Sequence, residues 1–171
     1  MICPSCGHDN IEGVDSCENC MKPLRDLDVP RADATSGLVR SVMEDELGSL
    51  ERREYIAARV EEPAIDVVRR MKELGVSCAL VFDPEEKLAG IFTAQDALRK
   101  LGVDLSPAQT LSVGEAMTPK PEALRETDSI AAAFNKMSIG DFRHVPVLTE
   151  AGDYRIVSVE HLLDYIAHKE W

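Results

Sequence analysis

The sequence predicts an α/β fold built from two matched copies, with a small metal-binding ribbon in front of them. The first observation is a long internal repeat: Met71 matches Met137 and Val81 matches Val147 at an offset of 66. After one deletion in the intervening loop, Thr93 matches Ser158 and Asp96 matches His161 at an offset of 65. The second is the order of elements within each copy. Amphipathic helix, apolar strand, turn and second apolar strand lead to a Thr or Ser that opens another helix, as in an α/β domain. The third is that four of the five cysteines lie in the first twenty residues. The repeat is longer than the roughly 20–50 residues of a solenoid unit. The copies therefore read as facing half-domains of one domain, with a ligand expected in the cleft between them.

Residues 1–24 form the ribbon. Cys3-x-x-Cys6 and Cys17-x-x-Cys20 are separated by ten residues, and such a pair of knuckles brings four thiolates to one tetrahedral point. Gly7 follows the first pair, where a knuckle turn favours positive φ. About twenty residues cannot fold on apolar burial alone, so metal binding supplies the fold. Zinc is the expected metal, with rubredoxin-type iron the other ion such a set holds. Four sulfurs fill the site, which leaves His8 out of it. Cys78, in an apolar strand, reads as a small buried hydrophobe. The string resembles the small zinc ribbons at the ends of many prokaryotic proteins.

Residues 25–51 are linker and lead-in. Pro30 and many small or charged residues make the start of this stretch a linker, so the ribbon is expected to move relative to the rest. Leu38, Val42, Met43, Leu47 and Leu50 then fall at helical spacing, interrupted by Gly48, and predict one or two short helices.

The first repeat covers 52–110 and the second 111–171. In the first, a short strand at 55–60 precedes a helix begun by Pro63 and ended by Gly75, with Ile65, Val68, Met71 and Leu74 on one face. Strands at 76–82 and 88–92 flank the turn Asp83-Pro84-Glu85-Glu86, and Thr93 caps the next helix. In the second, Asp128 or Ser129 caps a helix bearing Ile130, Ala133, Phe134 and Met137. Strands at 145–148 and 155–159 surround a turn at 150–153, and a closing helix runs from Glu160 to near His168.

Three strings carry a family resemblance. Gly90-Ile91-Phe92-Thr93-Ala94-Gln95-Asp96 resembles the G-h-h-[ST]-x-x-D signature of CBS domains (cystathionine-β-synthase-type repeats), h being apolar. Arg143-His144-Val145-Pro146-Val147 is similar to the family's R-H-x-P-V strand, and Val113-Gly114-Glu115-Ala116-Met117-Thr118-Pro119 to its V-x-x-x-M-T opening. The resemblance spans roughly 52–171 and implies tandem CBS repeats forming a Bateman module.

It also implies a ligand, an adenine nucleotide such as AMP, ADP or ATP. In the family the Asp of the signature takes the ribose hydroxyls, and the Thr or Ser before it meets phosphate at a helix N-terminus. By resemblance Asp96 and Thr93 inherit these roles. A carboxylate offers paired acceptors to vicinal hydroxyls, and a helix N-terminus offers free N–H groups to an anion. The same residues also serve as plain helix caps. Arg143, His144 and Arg155 are the candidate phosphate partners, since guanidinium pairs with phosphate in bidentate fashion. Arg155 stands where the family has Gly. Ala79, Leu80 and Val81 are candidates for the wall against adenine, and equally good core residues. Ser158 keeps the hydroxyl of the second signature, but His161 replaces its Asp, so the second site is expected to be weak or empty.

Composition narrows the rest. Hydrophobic content of 44% and charged content of 29% are those of a globular protein. A formal charge of −12 argues against a nucleic-acid binder, whose affinity rests on Lys and Arg. No run of about 18 apolar residues predicts a membrane span, the first residues do not resemble a signal peptide, and a cytoplasmic location is expected. No catalytic constellation is visible, and an enzyme is not expected. Two readings follow. One is a regulatory sensor whose ligand favours one orientation of the repeats, which pairs as a homodimer and whose ribbon engages an unidentified protein. The other is an adaptor in which the CBS pair is an unliganded dimerisation scaffold.

Overall fold

The computed structural model describes residues 1–24, 37–51, 55–101 and 111–169. Most of the expected linker, at 25–36, lies outside them. The chain divides into two compact units, one of Met1–Pro4, His8–Arg53 and Glu122–Trp171, the other of Ser5–Gly7 and Glu54–Pro121.

The unit holding the first repeat contains β1 (Ile56–Arg59), α2 (Ala64–Leu74), β2 (Cys78–Phe82), β3 (Leu88–Thr93), α3 (Ala94–Leu101), α4 (Val113–Ala116) and β4 (Thr118–Pro119). Its sheet has the order β1-β2-β3-β4. Helix α2 crosses over between the parallel pair β1–β2, and β3 is antiparallel to both β2 and β4. Helix α2 starts and stops where the sequence demands. Pro63 is its N-cap, Asp66 lies in the first turn and Lys72 in the last, and Gly75 closes it at a left-handed φ of 67°. One face buries Ala64, Val67 and Met71 against Ile56, Ala58, Ala79, Val81 and Phe92.

The other unit contains α1 (Leu38–Glu44), a 3₁₀ turn (Leu47–Ser49), β5 (Leu124–Arg125), α5 (Ile130–Gly140), β6 (His144–Leu148), β7 (Tyr154–Ser158) and α6 (Val159–His168). Its sheet runs β5-β6-β7, parallel then antiparallel. Ser129, not Asp128, caps α5, its hydroxyl accepting from the Ala132 N–H at 3.2 Å. Asp128 instead takes the Arg125 N–H at 2.7 Å. Ile130, Ala133, Met137, Val145, Val147 and Val157 form the core with Leu47 and Leu50.

That last pairing revises the layout of the repeats. The lead-in residues Leu47 and Leu50 pack in the core of the second repeat, and Val113 and Ala116, read as the opening of the second repeat, pack in the core of the first. The exchange is symmetric at the backbone. Val113 and Gly114 donate to the Glu62 and Val60 carbonyls at 2.7 and 3.0 Å, while Leu47 and Gly48 donate to Asp128 and Glu126 at 2.9 and 2.8 Å. The offset of 66 relates every one of these residues. The duplication therefore begins at the lead-in, earlier than the sequence comparison places it.

Candidate metal centre and helix-cap sites

The cysteines form one cluster. The Sγ atoms of Cys3, Cys6, Cys17 and Cys20 all lie within 4.8 Å of one another, with Cys3 and Cys17 buried. The Cys3–Cys20 separation is 3.7 Å, far beyond a disulfide bond of about 2.05 Å. It matches the edge of about 3.8 Å that four sulfurs adopt around zinc at about 2.3 Å. The two knuckles are alike. Cys3 and Cys17 donate their N–H groups to the His8 and Lys22 carbonyls, both at 2.8 Å. Gly7 and Met21, the residues after each second cysteine, are left-handed at φ of 70° and 60°. Buried Asn10 joins the knuckles, its Oδ1 accepting from the Glu18 N–H at 3.0 Å. The donor set fits a tetrahedral thiolate metal site.

The ribbon makes contacts with the second repeat. Arg125 Nη2 on β5 donates to the Ile2 carbonyl at 2.7 Å, and the Tyr154 hydroxyl on β7 donates to Pro4 at 2.8 Å. Lys22 lies 3.7 Å from Glu122, which also holds Lys136 at 3.2 Å.

In the first repeat, the end of β3 and the start of α3 bring Thr93 and Asp96 together. Asp96 Oδ2 accepts from the Thr93 N–H at 2.9 Å and from its hydroxyl at 2.7 Å, and the Asp96 N–H donates back to Thr93 Oγ1 at 3.3 Å. The pairing of Ile91 with Thr118 places a residue the sequence reading passed over, because the Thr118 hydroxyl donates to Asp96 Oδ1 at 3.2 Å. Its presence in the M-T opening was the available signal. Lys100, one helical turn beyond Asp96, donates to the Glu115 and Met117 carbonyls at 3.3 and 3.1 Å.

Ala79 and Val81 do not present a surface to a ligand. Both are fully buried in the core under α2. Leu80 points to the opposite face of the same strand, by the alternation of β side chains, and is also buried.

In the second repeat the same cap forms with different chemistry. His161 Nδ1 accepts from the Ser158 N–H at 2.9 Å and lies 2.8 Å from its hydroxyl, with both residues 6% exposed. A backbone N–H only donates, so the ring proton of neutral His161 sits on Nε2. The ring nitrogen that replaces the Asp96 carboxylate is thus already engaged. Glu160 adds a charge where the first repeat has Gln95. Its carboxyl is held below the usual range, first by the Ser158 hydroxyl and then by a backbone N–H, with His144 and His161 contributing.

Arg143 is exposed beside β6. His144 is half-buried, and burial pushes its pKa down, an effect opposed by nearby Glu160 and reinforced by Arg143. It is therefore neutral near pH 7 and a poor cation for phosphate.

Arg155 is a correction. It is 4% exposed, and its guanidinium donates to the Leu50 carbonyl at 2.9 Å and the Gly48 carbonyl at 3.4 Å. Burial and these two carbonyls commit it to the lead-in rather than to phosphate. In the first copy the matching residue is Gly90, where an added Cβ would stand 2.2 Å from Met117 Sδ and 2.8 Å from the Thr118 carbonyl.

Comparison with known proteins places this geometry. The CBS domain family model matches residues 47–103 and 113–168, so its boundaries include the exchanged lead-ins. The CBS domain-containing protein CBSCBSPB5 of Arabidopsis thaliana is 33% identical over 113 residues, covering 66% of this chain and 20% of that protein. The mitochondrial CBSX3 of the same plant is 27% identical over 119 residues, 67% of this chain and 58% of that protein. The chain thus spans about a fifth of the length of the first of these relatives. Among solved structures, CBSX2 in complex with AMP superposes with a TM-score of 0.60 at 21% identity, covering 72% of this chain and 97% of CBSX2. A conserved protein of Pyrococcus horikoshii superposes at 0.65 with 17% identity, covering 75% of this chain and 96% of that one. Among the described residues, no helix is long and apolar enough to cross a membrane. With two matched segments and the fold of a Bateman module, the chain belongs to the CBS-domain family.

Proposed function

We propose that this CBS pair is a regulatory sensor that binds one adenine nucleotide per chain through its first repeat. In this reading the cysteine cluster carries zinc, the ribbon engages another protein, and the chain works as a homodimer. The observation that carries the nucleotide reading is the state of Asp96. One carboxylate oxygen is fixed by Thr93, while the other, among the described residues, holds the longer Thr118 bond at 3.2 Å. Ribose hydroxyls replace that bond readily, and the dipole of α3 puts positive potential at its N-terminus for phosphate, although the Ala94 and Asp96 N–H groups there already donate to the Ser77 carbonyl and to Thr93 Oγ1. Arg143 is the proposed phosphate cation, a role that neutral His144 fills less well. The AMP bound by CBSX2, a protein of the same fold, supports the choice of ligand.

The adaptor reading has its own support. Thr93 and Asp96 satisfy each other without a ligand, just as Ser112 and Glu115 do in the capping box of α4. A thermal melt separates the two. AMP or ATP at a hundred times its dissociation constant adds about 2.7 kcal/mol to a protein that binds it. An unchanged melting temperature at millimolar AMP, ADP and ATP supports the empty scaffold. Calorimetry tests the phosphate role, since adenosine binding as tightly as AMP removes Arg143 from the site.

A further inference from the structure

Three contacts, spread over both knuckles, tie the ribbon to the second repeat. Arg125 and Tyr154 hold the Ile2 and Pro4 carbonyls, which flank Cys3 on either side. Lys22, two residues past Cys20, reaches Glu122 just before β5. The positions of those carbonyls depend on the knuckle. Cys3 is turned by its bond to His8, and the N-terminal amine is tied to Asp9 at 2.9 Å and to the Asn10 carbonyl at 2.6 Å. A segment this short has too little apolar core to keep such turns without the metal.

We propose that metal occupancy of Cys3, Cys6, Cys17 and Cys20 and docking of the ribbon on the second repeat are one coupled equilibrium. The loaded ribbon clamps β5 and β7, and loss of the metal frees them. This makes the second repeat a reader of metal or thiol status at the N-terminus. It rests on the metal part of the proposed function and is independent of the nucleotide part. Coupling is reciprocal, so whatever docking gains from the metal, the metal gains from docking.

The test uses the full chain. Hydrogen–deuterium exchange is measured zinc-loaded and after chelation under reducing conditions. The expected result is faster exchange in residues 1–24 and also in β5–β7, with β1–β3 unchanged. In a second arm, Tyr154→Phe combined with Arg125→Met removes the two donors but no cysteine. This variant still takes one zinc per chain, but chelator competition shows its zinc affinity lowered by about 5- to 150-fold. Unchanged exchange in β5–β7 on chelation overturns the proposal. So does a variant that holds zinc as tightly as the parent, or an equal rise in exchange across both repeats. A chain that takes up no zinc overturns the metal reading along with it. Should the double variant lose protection in β1–β3 as well, the chelation arm decides alone.

Discussion

The backbone N–H of Gly114 meets the Val60 carbonyl at 3.0 Å, and a Cβ on Gly114 would stand 2.8 Å from that same oxygen. The bond exists because the residue is glycine. Gly48 makes the matching bond to Glu126, but there a Cβ would sit 3.3 Å from both the carbonyl and the carboxylate of Glu126. Gly114→Ala is therefore expected to destabilise by about 1–3 kcal/mol, as overpacking does, and Gly48→Ala by less. Denaturant midpoints compare them, and the reverse order would contradict the packing described.

Arg155 offers a test of a residue captured by structure. Arg155→Ala leaves the buried Leu50 carbonyl without the guanidinium, at a cost of about 1–3 kcal/mol for a buried group left unsatisfied, while the exposed Gly48 carbonyl can turn to water. Arg155→Gly, which restores the residue of the first copy, is expected to be no better. Affinity for AMP should be unchanged in both variants once stability is accounted for. A selective loss of AMP binding would return Arg155 to the ligand.

Asymmetry between the repeats is measurable by calorimetry. In the proposed site Asp96→Ala removes the acceptor for ribose, and lost hydrogen bonds to a charged group cost about 1.5–3 kcal/mol, so AMP binding should fall about ten- to hundredfold. His161→Ala should change it little. His161→Asp alone is expected to leave the stoichiometry at one, because Glu160 keeps a negative charge in the first turn of α6. Glu160→Gln added to His161→Asp removes that charge and is expected to bring a second nucleotide. Two equivalent sites in the parent chain would end this reading.

The histidine next to Arg143 sets a pH dependence. Burial lowers the pKa of folded His144 below the ordinary 6.5. Between those two values the unfolded chain binds the extra proton and the folded chain does not. Stability is thus at its full value above about pH 6.5 and falls as the solution is acidified toward the folded pKa. His144→Gln should flatten this limb in thermal melts from pH 7.5 to 5.5. An equal slope in parent and variant would assign the loss to other groups.

The elements were legible because their signals are local. Pro63 and Gly75 bound α2 where the sequence places its ends, and the paired C-x-x-C strings converge as their spacing requires. The strands the sequence predicts shift only by a residue or two at their ends, with β2 starting at Cys78 and β7 at Tyr154, whereas the short β4 and β5 are not among them. Thr118 and Glu160 were missed for a related reason. Each stands within a recognised motif, but its meaning depends on a partner across a strand pair or on the charge its matching residue lacks.

By itself, then, the sequence determined two α/β copies, a four-cysteine cluster, and Thr93 with Asp96 at the mouth of one helix. These follow from periodicity, spacing and caps, all encoded within a few residues. Only the tertiary structure decided that each lead-in completes the other repeat, that Arg155 clamps Gly48 and Leu50, and that Arg125 and Tyr154 hold the ribbon. In each case the deciding partner is a backbone carbonyl or N–H far along the chain. Every residue but proline carries both groups, so no side-chain pattern reveals which of them a distant fold will bring within reach.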